Sequence, residues 1–483
     1  MMTNSMKNKK IKLVCALATL LWIAVSCYKD QGNYDITMPT TPVVHGLDTL
    51  YNALVGDSLI IEPMIEGLPK EQLLYEWRIY VPEAVRPELN SYQGAALRIV
   101  FGLQAKRYTA RLTLTNTENG MKYFYKFHIQ GNTAFSKGSL VLSEDDGVTK
   151  LSFIKPDSTI QPNIYESINR EILPVGPRHI HYLRNQFTGN TPLGYWVITQ
   201  NGGVRLDVNN LQKEAVKPGT LKDNFFLAPT TLQVGSLQSH PQGVLMGVIN
   251  GKFYGGTTTT WDQSNTYGMF GTYADGDYTL APQFVMSVIN NNFSIIAFEN
   301  NKKQFVRLNI YGAPMYFGTQ YTPVSSSIFD PTKLDMELLH MVQINNSDTY
   351  AYMKSIDGGI YELKFNVNFN GPFTFTAAHK RLFKYAEFID QDTKMLCTRN
   401  GNIYIAHRNR LFRYNPISEQ LTALNTTFNT PISMLKLDDD EQTLIVGAGS
   451  SIYYLDIQVG RDGDLLGQIQ GIPGKPIDMT WRK

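Results

Sequence analysis

Several groups of residues have types and spacings that could do chemistry. Cys27 ends Ala24-Val25-Ser26-Cys27, small residues before a thiol, which follow the apolar run 13–25 and a leader holding Lys7, Lys9, Lys10 and Lys12 without an acid. The chemistry implied is signal cleavage before Cys27 and acylation of its sulfur, because the 13-residue run falls short of the roughly 20 residues that span a bilayer. A second group is aromatic: Tyr254, Trp261, Tyr267, Phe270 and Tyr273 lie among Asn, Gln, Asp, Thr and Gly. Flat rings against sugar C–H groups, with planar amides against hydroxyls, hold neutral glycans, and the same set suits peptides. Packing between repeats is the competing role for those rings. A similar stretch runs through Tyr311, Tyr316, Phe317 and Tyr321.

The remaining constellations read as structural. His179-x-His181 would place two imidazoles on one face of a strand, a geometry zinc can use, but no Cys, Asp or Glu nearby completes a ligand set, so no metal site is expected. Asp438-Asp439-Asp440-Glu441 falls where a hairpin is needed and reads as a solvated turn. Ser143-x-Asp145-x-Gly147-x-Thr149 and Ser355-x-Asp357-x-Gly359 resemble the Asp-box turns of sialidase-type propellers, which bond side chain to backbone within a hairpin and lie away from active sites. The chain has no Gly-rich phosphate loop, no Gly-x-Ser-x-Gly and no His-Glu-x-x-His. No catalytic residue and no cofactor is expected, and the protein is read as not an enzyme.

Composition bounds the partners. The chain has 44 basic and 42 acidic residues, but four of the lysines leave with the leader, which turns a formal charge of +2 into −2. Such a chain lacks the basic footprint that exchanges counterions with phosphates, so nucleic acid is excluded as a partner. Cys15 also leaves and Cys27 is spent on the lipid, so Cys397 has no partner for a disulfide.

The elements that must position these residues are strands. Residues 27–38 are polar and form a tether. From 39 to 132, runs at 58–61, 73–80, 96–101, 108–115 and 123–130 are separated by Gly, Pro and Asn, and Tyr75 and Trp77 share one strand face. This predicts an immunoglobulin-like β-sandwich with Trp77 in its core. From 133 to 483, apolar strands centred near Val141, Val197, Leu245, Ile295, Tyr350, Leu396 and Leu444 recur about every 50 residues, most of them leading through Gly-containing turns into a second strand. A period of that size holding several short strands predicts a seven-bladed β-propeller. The first repeat lacks an opening strand, and the orphan strand 476–481 at the C-terminus is predicted to supply it.

The lipobox and the opening Cys27-Tyr28-Lys29-Asp30-Gln31-Gly32-Asn33-Tyr34-Asp35, followed by a sandwich and a propeller, resemble the PKD-like family lipoproteins of Bacteroidota. The resemblance implies an outer-membrane lipoprotein whose charged stretch just after the acylated cysteine, loosely matched by Lys29 and Asp30, directs it to the cell surface. It further implies an accessory, non-catalytic role in nutrient capture, binding glycan or peptide beside a SusC/SusD-like TonB-dependent transporter. The alternatives are a propeller-based glycan hydrolase or lyase, and a scaffold for other outer-membrane proteins. Cys27→Ala should release the protein from the membrane into the soluble fraction; a variant that still sediments with membranes excludes the thioether anchor.

Overall fold

A computed structural model describes residues 39–81, 90–262, 264–287, 294–310, 314–345 and 348–482. Cys27 and the tether 27–38 lie outside these residues. The fold is all-β, with one six-residue helix, Ile164–Asn169, among the described residues. Contacts divide the chain into two compact units: one holds the N-terminal residues up to 51 with 59–99 and 108–129, the other holds 52–58, 100–107 and 130–483.

The N-terminal sheet is ordered Leu50–Leu54, Lys122–Asn132, Arg107–Asn116, Leu73–Tyr80, Ser91–Gln93. Alternation in Leu73–Tyr80 puts Leu73, Tyr75, Trp77 and Ile79 inside, each opposite another apolar or buried residue of Arg107–Asn116. Trp77 is fully buried, as its position between polar neighbours predicts. Its indole N–H donates to the carbonyl of Gly94 at 2.8 Å, and Phe127 meets its ring edge-on at 5.9 Å. That bond satisfies the one polar atom a buried tryptophan brings.

Among the described residues of the second unit, seven sheets follow one another along the chain. The second sheet is Pro177–Asn185, Thr191–Thr199, Gly202–Leu206; the third is Val234–Ser239, Leu245–Ile249, Lys252–Gly255. The fourth is Leu280–Met286, Ser294–Glu299, Gln304–Asn309, Met315–Gly318, and the fifth begins Glu337–Gln343, Asp348–Lys354, Ile360–Asn368, Thr374–Leu382. Thr322–Val324 adds a parallel edge to the fifth sheet. The sixth is Lys394–Cys397, Ile403–His407, Arg410–Asn415, Gln420–Ala423, and the seventh is Ile432–Leu437, Thr443–Ala448, Ser451–Asp456, Asp464–Gln470.

The second strand of a sheet is covered on both faces, which is why it is apolar without alternation: every residue of Leu245–Ile249 and of Ser294–Glu299 is buried. Six of the seven repeat centres fall in such strands. The centre near Leu396 is corrected: it lies in the half-buried opening strand Lys394–Cys397, and the second strand of that sheet is Ile403–His407. Tight turns lead from second to third strands. Asp146-Gly147 and Asn250-Gly251 hold φ of 47° and 79° and of 53° and 71°, the positive values a two-residue hairpin requires.

The first sheet is ordered Ile160–Gln161, Val148–Ile154, Gly138–Asp145, Lys475–Arg482, so its opening strand comes from the far end of the chain. The ladder is antiparallel, with Leu140 opposite Thr480, Val141 opposite Met479 and Leu142 opposite Asp478. Met479 and Val141 are buried together with Met434, Ile445, Ile452 and Ile472. The opening strand of each sheet touches that of the next, and Lys475–Arg482 touches both Pro177–Asn185 and Ile432–Leu437, so these contacts run in an unbroken circuit. Deleting residues 475–483 removes that link and the buried Met479, whose side chain alone is worth about 2–5 kcal/mol. The truncated chain should melt early or aggregate; an unchanged melting temperature would mean that the strand is dispensable.

Candidate ligand-binding surfaces

The aromatic segment follows Lys252–Gly255, the last strand of the third sheet. A chain that leaves a sheet edge must satisfy its own backbone, and this one does so against its neighbours: Thr257 N–H donates to Met269 O at 2.9 Å, and Phe270 N–H donates to Asn224 O at 2.7 Å. Phe270 is thereby drawn into the core with Phe225 and Tyr254, whose ring stands edge-on to Phe225 at 5.2 Å. Tyr267 is also buried; its hydroxyl donates to Gln242 O at 2.7 Å and accepts from Asn185 Nδ2 at 3.1 Å. The expected five-ring surface is corrected accordingly. Tyr254, Tyr267 and Phe270 are enclosed because the Gly-rich segment folds back onto its own sheet, and their faces are not open to a ligand.

Trp261 and Tyr273 face solvent. Trp261 is 85% exposed and Tyr273 is 39% exposed, with the Lys252 ammonium 5.4 Å from the Tyr273 ring centre. Trp261 is mounted on a fixed point. Its neighbour Asp262 is buried, and the Asp262 carboxylate accepts from Asn185 Nδ2 at 3.2 Å and from the Thr188 hydroxyl, while its carbonyl accepts from Lys217 Nζ at 2.7 Å. Burial, then the nearby Arg205 charge, pushes the Lys217 ammonium down to about 8. The bond from Thr188 brings in Phe187, which is 57% exposed and which sequence reasoning missed. A lone Phe in Asn185-Gln186-Phe187-Thr188 carries no pattern; only the fold sets its neighbour Thr188 against Asp262. Of the second aromatic stretch, Tyr311 lies outside the described residues. Tyr316 is stacked on Tyr278 at 4.4 Å and the Tyr321 hydroxyl donates to Phe305 O, so these two rings pack.

A different set of side chains meets where the first, second and seventh sheets adjoin. Asp478, on the C-terminal strand, accepts from Lys436 Nζ at 2.7 Å and from the backbone N–H of Ile180 at 3.0 Å, with His179 Nδ1 at 3.7 Å. Burial alone would raise this carboxyl, but Lys436 and His179 hold it well below the usual carboxylate range. His179-x-His181 is therefore an electrostatic partner of Asp478, and among the described residues no group of three or more His, Cys, Asp or Glu could hold a metal. His181 is partly exposed as a residue, yet its Nε2 is enclosed without a hydrogen-bond partner. Burial, with the nearby His179, pushes its imidazole down to about 3.

Beside this cluster two cavities share Trp481 and Arg482. One, of about 390 Å³, is lined by Tyr182, Arg184, Asn190, Lys436, Asp439 and Thr480 together with that shared pair. The other, of about 360 Å³, adds the apolar side chains of Ile445, Tyr454 and Met479. The Trp481 indole N–H points to Asp439 Oδ2 at 3.4 Å, and Tyr182 stacks on Tyr195 at 4.9 Å. No sequence motif marked this place, because its walls come from residues some 300 positions apart.

Other polar groups serve the fold. The Asp357 carboxylate accepts from Gly359 N–H at 3.2 Å and from the Ser355 hydroxyl, as an Asp-box turn would. Glu441, in the acidic turn, pairs with Arg399 Nε at 3.1 Å and so ties the opening hairpins of the sixth and seventh sheets. Glu362 is fully buried between Tyr352 and Arg381 on the flanking strands, with His379 Nε2 at 3.0 Å; Arg381 continues to the Pro416 carbonyl of the sixth sheet. This is an ionic clamp between sheets that no local pattern announced. Cys397 donates its thiol to Gln343 O, and burial pushes the thiol up to about 12, so it is inert as a nucleophile at neutral pH.

A family model described as PKD-like family matches residues 27–177, which cover the tether, the N-terminal sheet and most of the first sheet of the second unit. The chain therefore carries a PKD-like domain at its N-terminal side. No curated protein matches the sequence. Solved structures similar to it include a nidogen/laminin complex, at 7% identity and a TM-score of 0.33, covering 72% of this chain and 99% of that chain. The C-terminal WD40 domain of Sif2 aligns at 10% identity and a TM-score of 0.32, covering 70% of this chain and 86% of that one.

His181 and Asp478 both make acid costly. The unfolded chain takes a proton on histidine near pH 6.5 and on aspartate near about 3.9, whereas the folded chain resists both. Stability contributed by His181 is full above about pH 6.5 and is lost as pH falls towards 3; that of Asp478 is lost below about pH 4. Thermal melts at pH 7.5 and 5 should differ for the native chain and differ less for His181→Phe. An equal loss in both would exclude His181 as the group responsible.

Proposed function

We propose that this chain is a lipid-anchored accessory binding protein of the outer membrane surface, tethered through Cys27. In this reading the PKD-like domain is a spacer and the seven-sheet unit is a seven-bladed β-propeller that presents aromatic rings to passing glycan or peptide, for delivery to a SusC/SusD-like transporter. The propeller reading is supported by the sequential antiparallel sheets, the circuit of opening strands and the C-terminal strand in the first sheet. The binding reading is carried by Trp261: an indole 85% exposed, next to a buried and hydrogen-bonded Asp262, is held out in water by a rigid mount. Exposing so large an apolar ring forgoes burial energy, and a fixed orientation lowers the entropy cost of binding.

Exposed Phe226 and Leu227, in the same sheet-to-sheet connection as Phe225, favour the scaffold as a second reading, since they would suit a protein partner. Trp261→Ala should leave the melting curve within about 0.5 kcal/mol of native stability, as surface changes do, and abolish retention on a glycan or peptide array. Phe270→Ala should cost about 3–5 kcal/mol. Undiminished array binding by a folded Trp261→Ala variant removes this surface as the site.

A further inference from the structure

We propose a second binding site, separate from Trp261, in the cavity walled by Tyr182, Arg184, Lys436, Asp439, Trp481 and Arg482, and that it takes an acidic sugar, a saccharide ring carrying a carboxylate. Lys436 is already committed to Asp478 at 2.7 Å, and Asp439 receives the Trp481 indole N–H at 3.4 Å. Arg184 and Arg482 are differently placed: among the described residues neither forms an ion pair. Arg184 is exposed and lies with its guanidinium carbon 5.3 Å from the Tyr182 ring centre, and Arg482 gives one N–H to the Val208 carbonyl at 2.8 Å and also bonds the Tyr195 side chain. Two guanidinium groups thus line one cavity with charge left over, and the planar fork of arginine matches a carboxylate with two parallel hydrogen bonds. The Asp439 carboxylate in the same wall weighs against a dianion such as phosphate.

An aromatic wall favours a sugar. Tyr182 is held in place by stacking on Tyr195, with planes 25° apart, and Trp481 lines both this cavity and the more apolar one beside it. The Trp481 ring can take the C–H side of a pyranose, and Asn190 and Thr480 supply amide and hydroxyl partners for its hydroxyl groups. The cavity volume of about 390 Å³ falls within the range of about 300–1,000 Å³ typical of small-molecule sites. The position is also rigid: Thr480, Trp481 and Arg482 belong to the strand paired with Gly138–Asp145.

The test is calorimetric titration of the full chain in detergent micelles with three probes: a galacturonate trisaccharide, the corresponding neutral galactose trisaccharide and triglutamate. The galacturonate should bind, about tenfold or more tightly than either other probe, and should weaken as salt rises from about 0.05 M to about 0.5 M. Arg184→Gln should lose about tenfold or more of that affinity with an unchanged melting temperature, because the side chain is exposed. Ile356→Ser, at a solvent-facing turn of the fifth sheet, should bind as the native chain does. The proposal is overturned by absent galacturonate binding, by equal affinity for the neutral sugar, by triglutamate binding as well or better, or by an Arg184→Gln variant that binds normally. None of these outcomes depends on whether Trp261 binds a ligand.

Discussion

One carboxylate joins the two ends of the second unit. Asp478 lies on the C-terminal strand, in register with Leu142 of the first sheet, and its oxygens receive the ammonium of Lys436 from the seventh sheet and the amide of Ile180 from the second. The second and seventh sheets, far apart in sequence, therefore meet the first at a single side chain. A buried charge is costly unless it is paired and fully hydrogen-bonded, and here the pairing is supplied from both sides, so the carboxylate rewards only the arrangement in which all three strands are in place. Met479, the next residue, turns to the other face of the strand and completes the apolar seam between first and seventh sheets. A polar pin and an apolar seam thus alternate along one strand, which fixes its register.

The same junction explains where the unit offers surfaces. Tight packing between sheets consumes most aromatic rings: Phe305, Phe365 and Phe375 cluster in one seam, and Tyr352, Phe383 and Tyr414 in another. Rings open to water are the exceptions and have to be held up by polar anchors. Asp262 does this for Trp261, and Asp439 does it for Trp481 through the indole N–H. Two exposed or half-exposed indoles, each fixed by an aspartate, are a recurring local solution on this chain, whereas the buried Trp77 satisfies its N–H from a backbone carbonyl.

Much of the architecture was legible because burial leaves a trace in residue type. Second strands are covered on both faces and read as continuous apolar runs, and hairpins need Gly or Asn where φ is positive. The trace failed at Leu396, where Met395-Leu396-Cys397 is apolar but only half-buried, so a first strand was mistaken for a second. It failed again at Tyr254, Tyr267 and Phe270, because rings in a Gly-rich segment have the same letters whether the segment stands in water or folds back onto its sheet. Phe187, the Glu362 clamp and the cavity at Trp481 were not legible at all. Each is made by residues from separate strands, and no local spacing encodes which strands become neighbours.

The rest of the unit depends on the terminal strand being an integral part of the first sheet, and amide hydrogen exchange followed by mass spectrometry tests that pairing most directly. If Lys475–Arg482 is an integral strand, its amides exchange only by the opening that also exposes Gly138–Asp145, and both segments lose protection together at the same denaturant concentration. Early exchange of residues 475–482, while 138–145 stays protected, would contradict it and reduce the C-terminus to an ordinary frayed end.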